Sequence, residues 1–129
     1  MLTSITMMFR ETQMKTIRSL LFSFFLLVPA LAFADLSGTW KCDDGGNYYI
    51  RQVGKEVFWY GERSATNPTW SNVASGYVDG KYIILRWADV PKGKVLQQGI
   101  LHLKMSGINK IKADEKTGGF GGSVWVRMQ

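Results

Sequence analysis

The chain has 129 residues, 46% of them hydrophobic, with 16 Lys+Arg against 10 Asp+Glu and a net charge of +6. One His and one Cys exclude an internal disulfide and the Cys/His ligand sets of structural zinc sites. The cations form no run or stripe, so nucleic acid is not an expected partner.

Residues 1–34 read as an address. Lys15 and Arg18 precede an apolar stretch from Leu20 to Phe33, and Ala32-Phe33-Ala34 has the small-residue pattern of a cleavage site. The stretch holds about 14 residues, short of the roughly 20 that a membrane helix needs. A secretory signal peptide is therefore expected, and a membrane span is not. Residues 1–13 lie upstream of Met14 and look like no part of a signal, so either Met14 is the expected start or the upstream piece is an unusual n-region. Cleavage after Ala34 leaves 35–129 as one small domain, secreted or periplasmic. Loss of Arg10, Glu11, Lys15 and Arg18 with the leader lowers the net charge from +6 to +4, which suits a solvated surface.

The domain reads as eight short strands cut by turn signals. The first, 36–42, ends at the turn Asp43-Asp44-Gly45-Gly46. The second, 47–53, closes on Gly54-Lys55 and is followed by the third, 56–62. A polar loop, 63–71, contains Asn67-Pro68. The fourth strand is 72–78, and Asp79-Gly80 predicts a type I′ hairpin, in which both central residues take positive φ. The fifth is 81–89, followed by a loop with Pro91 and Gly93. The sixth is 99–105, the seventh 110–116, and a Gly-rich link from Thr117 to Gly122 leads to the eighth, 123–128.

No part of this domain has helical periodicity over more than ten residues, and the linkers are too short for crossover helices. The strands must then run antiparallel. The expected fold is all-β, an eight-stranded antiparallel up-and-down barrel. Such a barrel holds side chains or one small ligand, and its closure removes exposed edges.

Alternation assigns the faces. Gly38, Trp40, Tyr48, Ile50, Gln52, Val57, Trp59, Ile83, Leu85, Trp87, Leu101, Leu103, Met105, Ile111 and Ala113 point inward. The outer face around Tyr49, Phe58, Tyr60 and Tyr82 is also apolar, which fits either a homo-oligomer interface or scattered exposed aromatics. On the last strand Val124 and Val126 compete for the interior. Trp125 is then expected on the outer face or against a neighbour, and Arg127 has to reach around the barrel end.

Several residues carry candidate chemistry. Gly38 and Trp40 on the first strand and Arg127 on the last form an end plug, with the cation across the indole ring, worth about 0.5–2 kcal/mol. His102 shares the Lys104 face and reads as a surface residue. Asp43 and Asp44 are explained by turn chemistry, and Cys42 by a buried free thiol. Phe120, between two Gly pairs, reads as part of a flexible hairpin turn or as a mobile tip offered to a partner. Trp70, beside Pro68 in a polar loop, folds over the barrel mouth or meets a partner. Tyr48, Trp59, Trp70 and Trp87 are the candidate ligand-binding residues, with Asn47, Gln52 and Asn72 to orient the ligand. No nucleophile–base pair or metal-ligand set is visible, so no catalysis, metal or cofactor is expected.

Gly38-x-Trp40, eight meandering strands and Arg127 on the last strand resemble the calycin superfamily of lipocalins, fatty-acid-binding proteins and avidins. The opening Leu36-Ser-Gly-Thr-Trp40 and the closing Val126-Arg127-Met128 are similar to avidin termini. Asp44-Gly-Gly-Asn-Tyr-Tyr-Ile-Arg-Gln52 and Thr117-Gly-Gly-Phe-Gly-Gly-Ser-Val-Trp125 look like a group of small exported bacterial proteins of unassigned function. The resemblance implies the barrel but not biotin binding, because the polar biotin set has no position-by-position match here.

The expected function is that of an exported, non-enzymatic binding protein, taking a small apolar or aromatic molecule in or at the mouth of the barrel. The alternatives are a module that binds a protein partner, such as an inhibitor of a secreted hydrolase, and a glycan platform built on Trp70 and Tyr60. The volume left inside the barrel decides between a ligand pocket and a binding surface.

Overall fold

Apolar and polar residues alternate through the domain with the period of strands, and Gly-rich turns set where each strand stops. The computed structural model describes residues 35–129. The leader and its cleavage site lie outside the described residues. The strands are β1 (Gly38–Cys42), β2 (Asn47–Val53), β3 (Glu56–Glu62), β4 (Ser71–Asp79), β5 (Tyr82–Asp89), β6 (Gln98–Met105), β7 (Lys110–Lys116) and β8 (Val124–Arg127). Each pairs antiparallel with the next, and β8 returns to β1 to close an all-β barrel.

The β4–β5 hairpin differs from its expectation. Asp79 ends β4, and the connection is Gly80-Lys81. Gly80 has φ 58°, and Asn67 is the non-glycine residue with positive φ among those described. A left-handed first position followed by an ordinary residue is the II′ pattern, not I′.

The meander gives the barrel two different ends. One end carries the start of β1, the two-residue hairpins at 54–55 and 80–81, the turn at 106–109 and the end of β8. The other carries the turn 43–46, the loops 63–70 and 90–97, and the link 117–123. The first end is sealed. The Arg127 guanidinium carbon lies 4.5 Å from the centroid of the Trp40 ring. Arg127 donates to the carbonyl oxygens of Ser37 and Asp35, both at 2.8 Å, and Trp40 Nε1 donates to the Leu36 carbonyl at 2.9 Å. Gly38, at φ 144°, leaves the space that the Arg127 side chain needs.

The parity expected of the last strand is corrected. Trp40 pairs with Arg127 and Cys42 with Trp125, so Trp125 and Arg127 share the inward face. Trp125 is fully buried and Val126 is exposed. Two valines lose the interior to an indole and a guanidinium because the indole buries more surface and the guanidinium completes the plug.

Ile50, Val57, Ile83, Leu85, Leu103 and Ile111 are buried together with Trp40, and the aromatic residues gather toward the other end. A bulge interrupts β6–β7, where His102 faces Glu115 but Leu103 faces Ala113. His102 Nδ1 lies 3.3 Å from Glu115 Oε2 on the outside of the barrel.

Candidate functional site

The mouth half of the barrel is filled by stacked rings. Tyr48 on β2 pairs in register with Gly61 on β3, and its ring takes the space where a Gly61 side chain would stand. Tyr48 meets Trp59 edge-on at 5.1 Å, Trp125 at 5.8 Å and Trp70 at 5.9 Å between centroids. Phe120 enters from the β7–β8 link and meets Trp87 at 4.9 Å and Trp125 at 5.9 Å.

Phe120 is therefore not a mobile tip. It is 7% exposed and forms part of the core. Gly118 and Gly119, at φ 81° and 86°, turn the link back into the opening. Full burial of such a ring is worth about 1.5–3 kcal/mol, which favours the turned-in link alongside the hydrogen bonds at its far end.

Hydrogen bonds tie the rings to the loops. The Tyr48 hydroxyl donates to Asp44 Oδ2 at 2.6 Å, and the Gly46 amide donates to Asp44 Oδ1 at 2.8 Å. Burial, with the Asp44 carboxylate beside it, pushes the Tyr48 hydroxyl far above its ordinary titration range. Trp59 Nε1 donates to Asn72 Oδ1 at 2.8 Å, which fixes the orientation of that amide. Asp43 Oδ1 accepts from the Ser123 and Val124 amides at 2.8 and 3.2 Å, so the first turn clasps the last link. Burial pushes the Cys42 thiol up, which leaves it an inert apolar group. Trp125 Nε1 is enclosed without a hydrogen-bond partner, at a cost of about 1–3 kcal/mol that ring packing must offset.

The two long mouth loops are locked together. Glu62 is buried and accepts from Lys92 Nζ at 2.6 Å and from the Tyr60 hydroxyl at 2.8 Å. Those bonds hold its carboxyl below the ordinary 4.5. The Lys94 amide donates to the Thr69 carbonyl at 3.0 Å, and the Ser71 hydroxyl donates to the Val90 carbonyl at 3.0 Å. Trp70 is gripped in this frame. A Cβ at Gly46 would collide with its ring, and one at Gly93 would press on its backbone.

With the interior packed, a hollow lies above it. A cavity of about 220 Å³ opens at the mouth, walled by Trp70, Trp87 and Phe120. Asp44, Asn72 and Asp89 supply its polar surface, with Val95 and Gln97 beside them. The volume falls below the roughly 300 Å³ at which ligand pockets usually begin, so only a small molecule fits.

Of the residues singled out in the sequence, Trp70, Trp87 and Asn72 face this hollow. Tyr48 and Trp59 are buried and form a layer with Phe120 and Trp125. Gln52 lies at the sealed end, where its Oε1 accepts from the Leu36 amide at 3.0 Å. Asn47 has the outward parity of Tyr49, which is exposed. Asp44, Asp89, Gln97 and Phe120 were not expected at the mouth. The signal available for Phe120 was a lone large apolar residue inside a glycine-rich link.

Outside the barrel, Tyr49 stacks on Tyr60 at 6.4 Å, and Phe58, Val73, Tyr77, Tyr82 and Ile100 are exposed. No helix among the described residues is long and apolar enough to cross a membrane. Among the described residues, no group of three or more His, Cys, Asp or Glu side chains is placed to hold a metal. Comparison with protein-family models, with curated proteins and with solved structures finds no match.

Proposed function

We propose that this chain is an exported, non-enzymatic binding protein that takes a small molecule with an apolar or aromatic part at the mouth of a calycin-like barrel. The observation that carries the reading is the hollow walled by Trp70, Trp87 and Phe120 above an otherwise filled interior. Trp70 packs closely at Gly46 and Gly93, and its loop is tied to the neighbouring mouth loop through Glu62 and Lys92. A preorganised site loses little entropy on binding.

Native mass spectrometry of the protein recovered from its exporting cell tests this. The expected result is a small-molecule adduct that dissociates on activation. A bare mass, with no change in tryptophan emission against a panel of small aromatic molecules, rejects the reading.

A second reading, association through the outer wall, is favoured by the exposed Phe58 and Val73 on the neighbouring strands β3 and β4, with Ile100 exposed on β6. Sedimentation velocity tests it, and a monomer at all concentrations rejects it.

A further inference from the structure

The ionisable side chains that line the mouth hollow are Asp44 and Asp89, both acids. Among the described residues Lys92 pairs with Glu62, and His102 lies 3.3 Å from Glu115, and neither mouth carboxylate takes part in such a contact. That is unexpected in a chain with 16 Lys+Arg against 10 Asp+Glu. Arg63 approaches Asp44, but its guanidinium donates to the Asp44 backbone carbonyl at 3.5 Å rather than to the carboxylate. Lys92 is held by Glu62.

Both carboxylates keep unused acceptor capacity. Asp44 receives one hydrogen bond on each oxygen, and an ionised carboxylate offers about four lone-pair sites. Asp89 Oδ2 accepts from the Gln97 amide at 2.9 Å, and Asp89 Oδ1 has no partner among the described residues. Burial holds the Asp89 carboxyl above its ordinary 3.8, against the pull of that one amide. The rings beside the acids are electron-rich faces, which attract a cation when it is desolvated between them.

We propose that the hollow binds a small organic cation, an ammonium on an apolar or aryl body, with that body among Trp70, Trp87 and Phe120 and its charged nitrogen toward Asp44 and Asp89. The proposal rests on the mouth-binding reading above and names the chemical class of its ligand. The net positive charge of the chain does not oppose it, because fields beyond about 8 Å are screened at physiological salt and the two acids act at contact distance. A chelated metal is not the expected ligand, since two carboxylates beside three rings supply too few oxygens.

The test uses three probes that share a phenyl ring and a short chain: phenethylammonium, 2-phenylethanol and 3-phenylpropionate. Binding to the folded chain is read by calorimetry and by tryptophan emission. Phenethylammonium is expected to bind about tenfold more tightly than the alcohol, the equivalent of about 1.4 kcal/mol, and 3-phenylpropionate most weakly. Asp89→Asn keeps the side-chain shape and an acceptor for the Gln97 amide. It should abolish the preference for the cation and leave the alcohol's affinity unchanged, and Asp44→Asn should act in the same direction. Equal binding of cation and alcohol overturns the cation proposal and leaves the mouth reading standing. A preference that survives both substitutions also overturns it, because the cation is then held elsewhere. Binding of none of the three by a folded wild-type chain overturns both readings.

Discussion

Phe120 stands edge-on to Trp87, with ring centroids 4.9 Å apart and planes at 74°. The contact joins the β7–β8 link to β5 across the opening of the barrel. It converts a container into a filled barrel with a shallow hollow on top, so the depth of the site depends on one loop side chain.

Phe120→Ala should therefore do two things at once. It should cost about 3 kcal/mol, the lower end for a large aromatic truncation, because water can enter the space from the mouth. It should also deepen the hollow toward Tyr48, Trp59 and Trp125, which now touch the Phe120 ring. Chemical denaturation should show a lower midpoint with an unchanged slope, and an apolar fluorescent dye should gain binding. A stability change near zero would mean that the link does not plug the barrel.

At the opposite end, Arg127 combines a ring contact with hydrogen bonds to the Ser37 and Asp35 carbonyls at 2.8 Å and a longer one to the Ile108 carbonyl at 3.4 Å. Arg127→Ala should cost about 2–3 kcal/mol, since the ring contact and the charged hydrogen bonds are lost together. Arg127→Lys should recover less than half of that loss. One ammonium on a flexible stem cannot lie across the Trp40 ring and span the Ser37 and Asp35 carbonyls as a planar fork does. Equal stability of the Lys variant and the wild type in denaturant titrations would show that only the charge matters.

Much of this frame was legible in the sequence, and the exceptions have physical causes. The bounds of β2, β3 and β7 match the alternation residue for residue. β1 begins later than expected because the Leu36 amide bonds to the Gln52 side chain instead of the β2 backbone. β8 has four residues, too few for alternation to reveal its face, and its parity comes from pairing with β1. Asp44 reads as a turn residue and Asp89 as a strand end. Their meeting at the mouth is a product of barrel closure, which no local pattern encodes.

Glu62 and Asp89 should give opposite pH signatures. The Lys92 and Tyr60 hydrogen bonds lower the folded pKa of Glu62 below 4.5. Its contribution is then complete above that value and is lost as pH falls through the lower folded value. Burial raises the folded pKa of Asp89 above 3.8. Its relative contribution is complete below 3.8 and is lost as pH rises through the raised value. Glu62→Gln should thus destabilise the chain at neutral pH and flatten the acid limb. Asp89→Asn should stabilise it at neutral pH, with the gain vanishing in acid. Denaturation midpoints across a pH series check both, and a destabilised Asp89→Asn at neutral pH would contradict the view that the Gln97 amide only partly offsets the burial of that carboxylate.

Trp70 can be tested without removing it. Its ring covers Gly46 so closely that a Cβ there would collide with it, and Gly46 does not have a positive φ. Gly46→Ala should therefore push the ring off the hollow while the β1–β2 turn keeps its backbone. Trp70→Ala removes the same wall outright. Both should abolish small-molecule binding at the mouth. The truncation should cost about 1–2 kcal/mol, because the ring is half-buried against Tyr48 and so contributes less than a full core aromatic. The glycine variant keeps the indole and should shift its emission toward that of a solvated tryptophan. Retained binding in both variants would remove Trp70 from the site. A loss of several kcal/mol on truncation would make it a core residue rather than a wall.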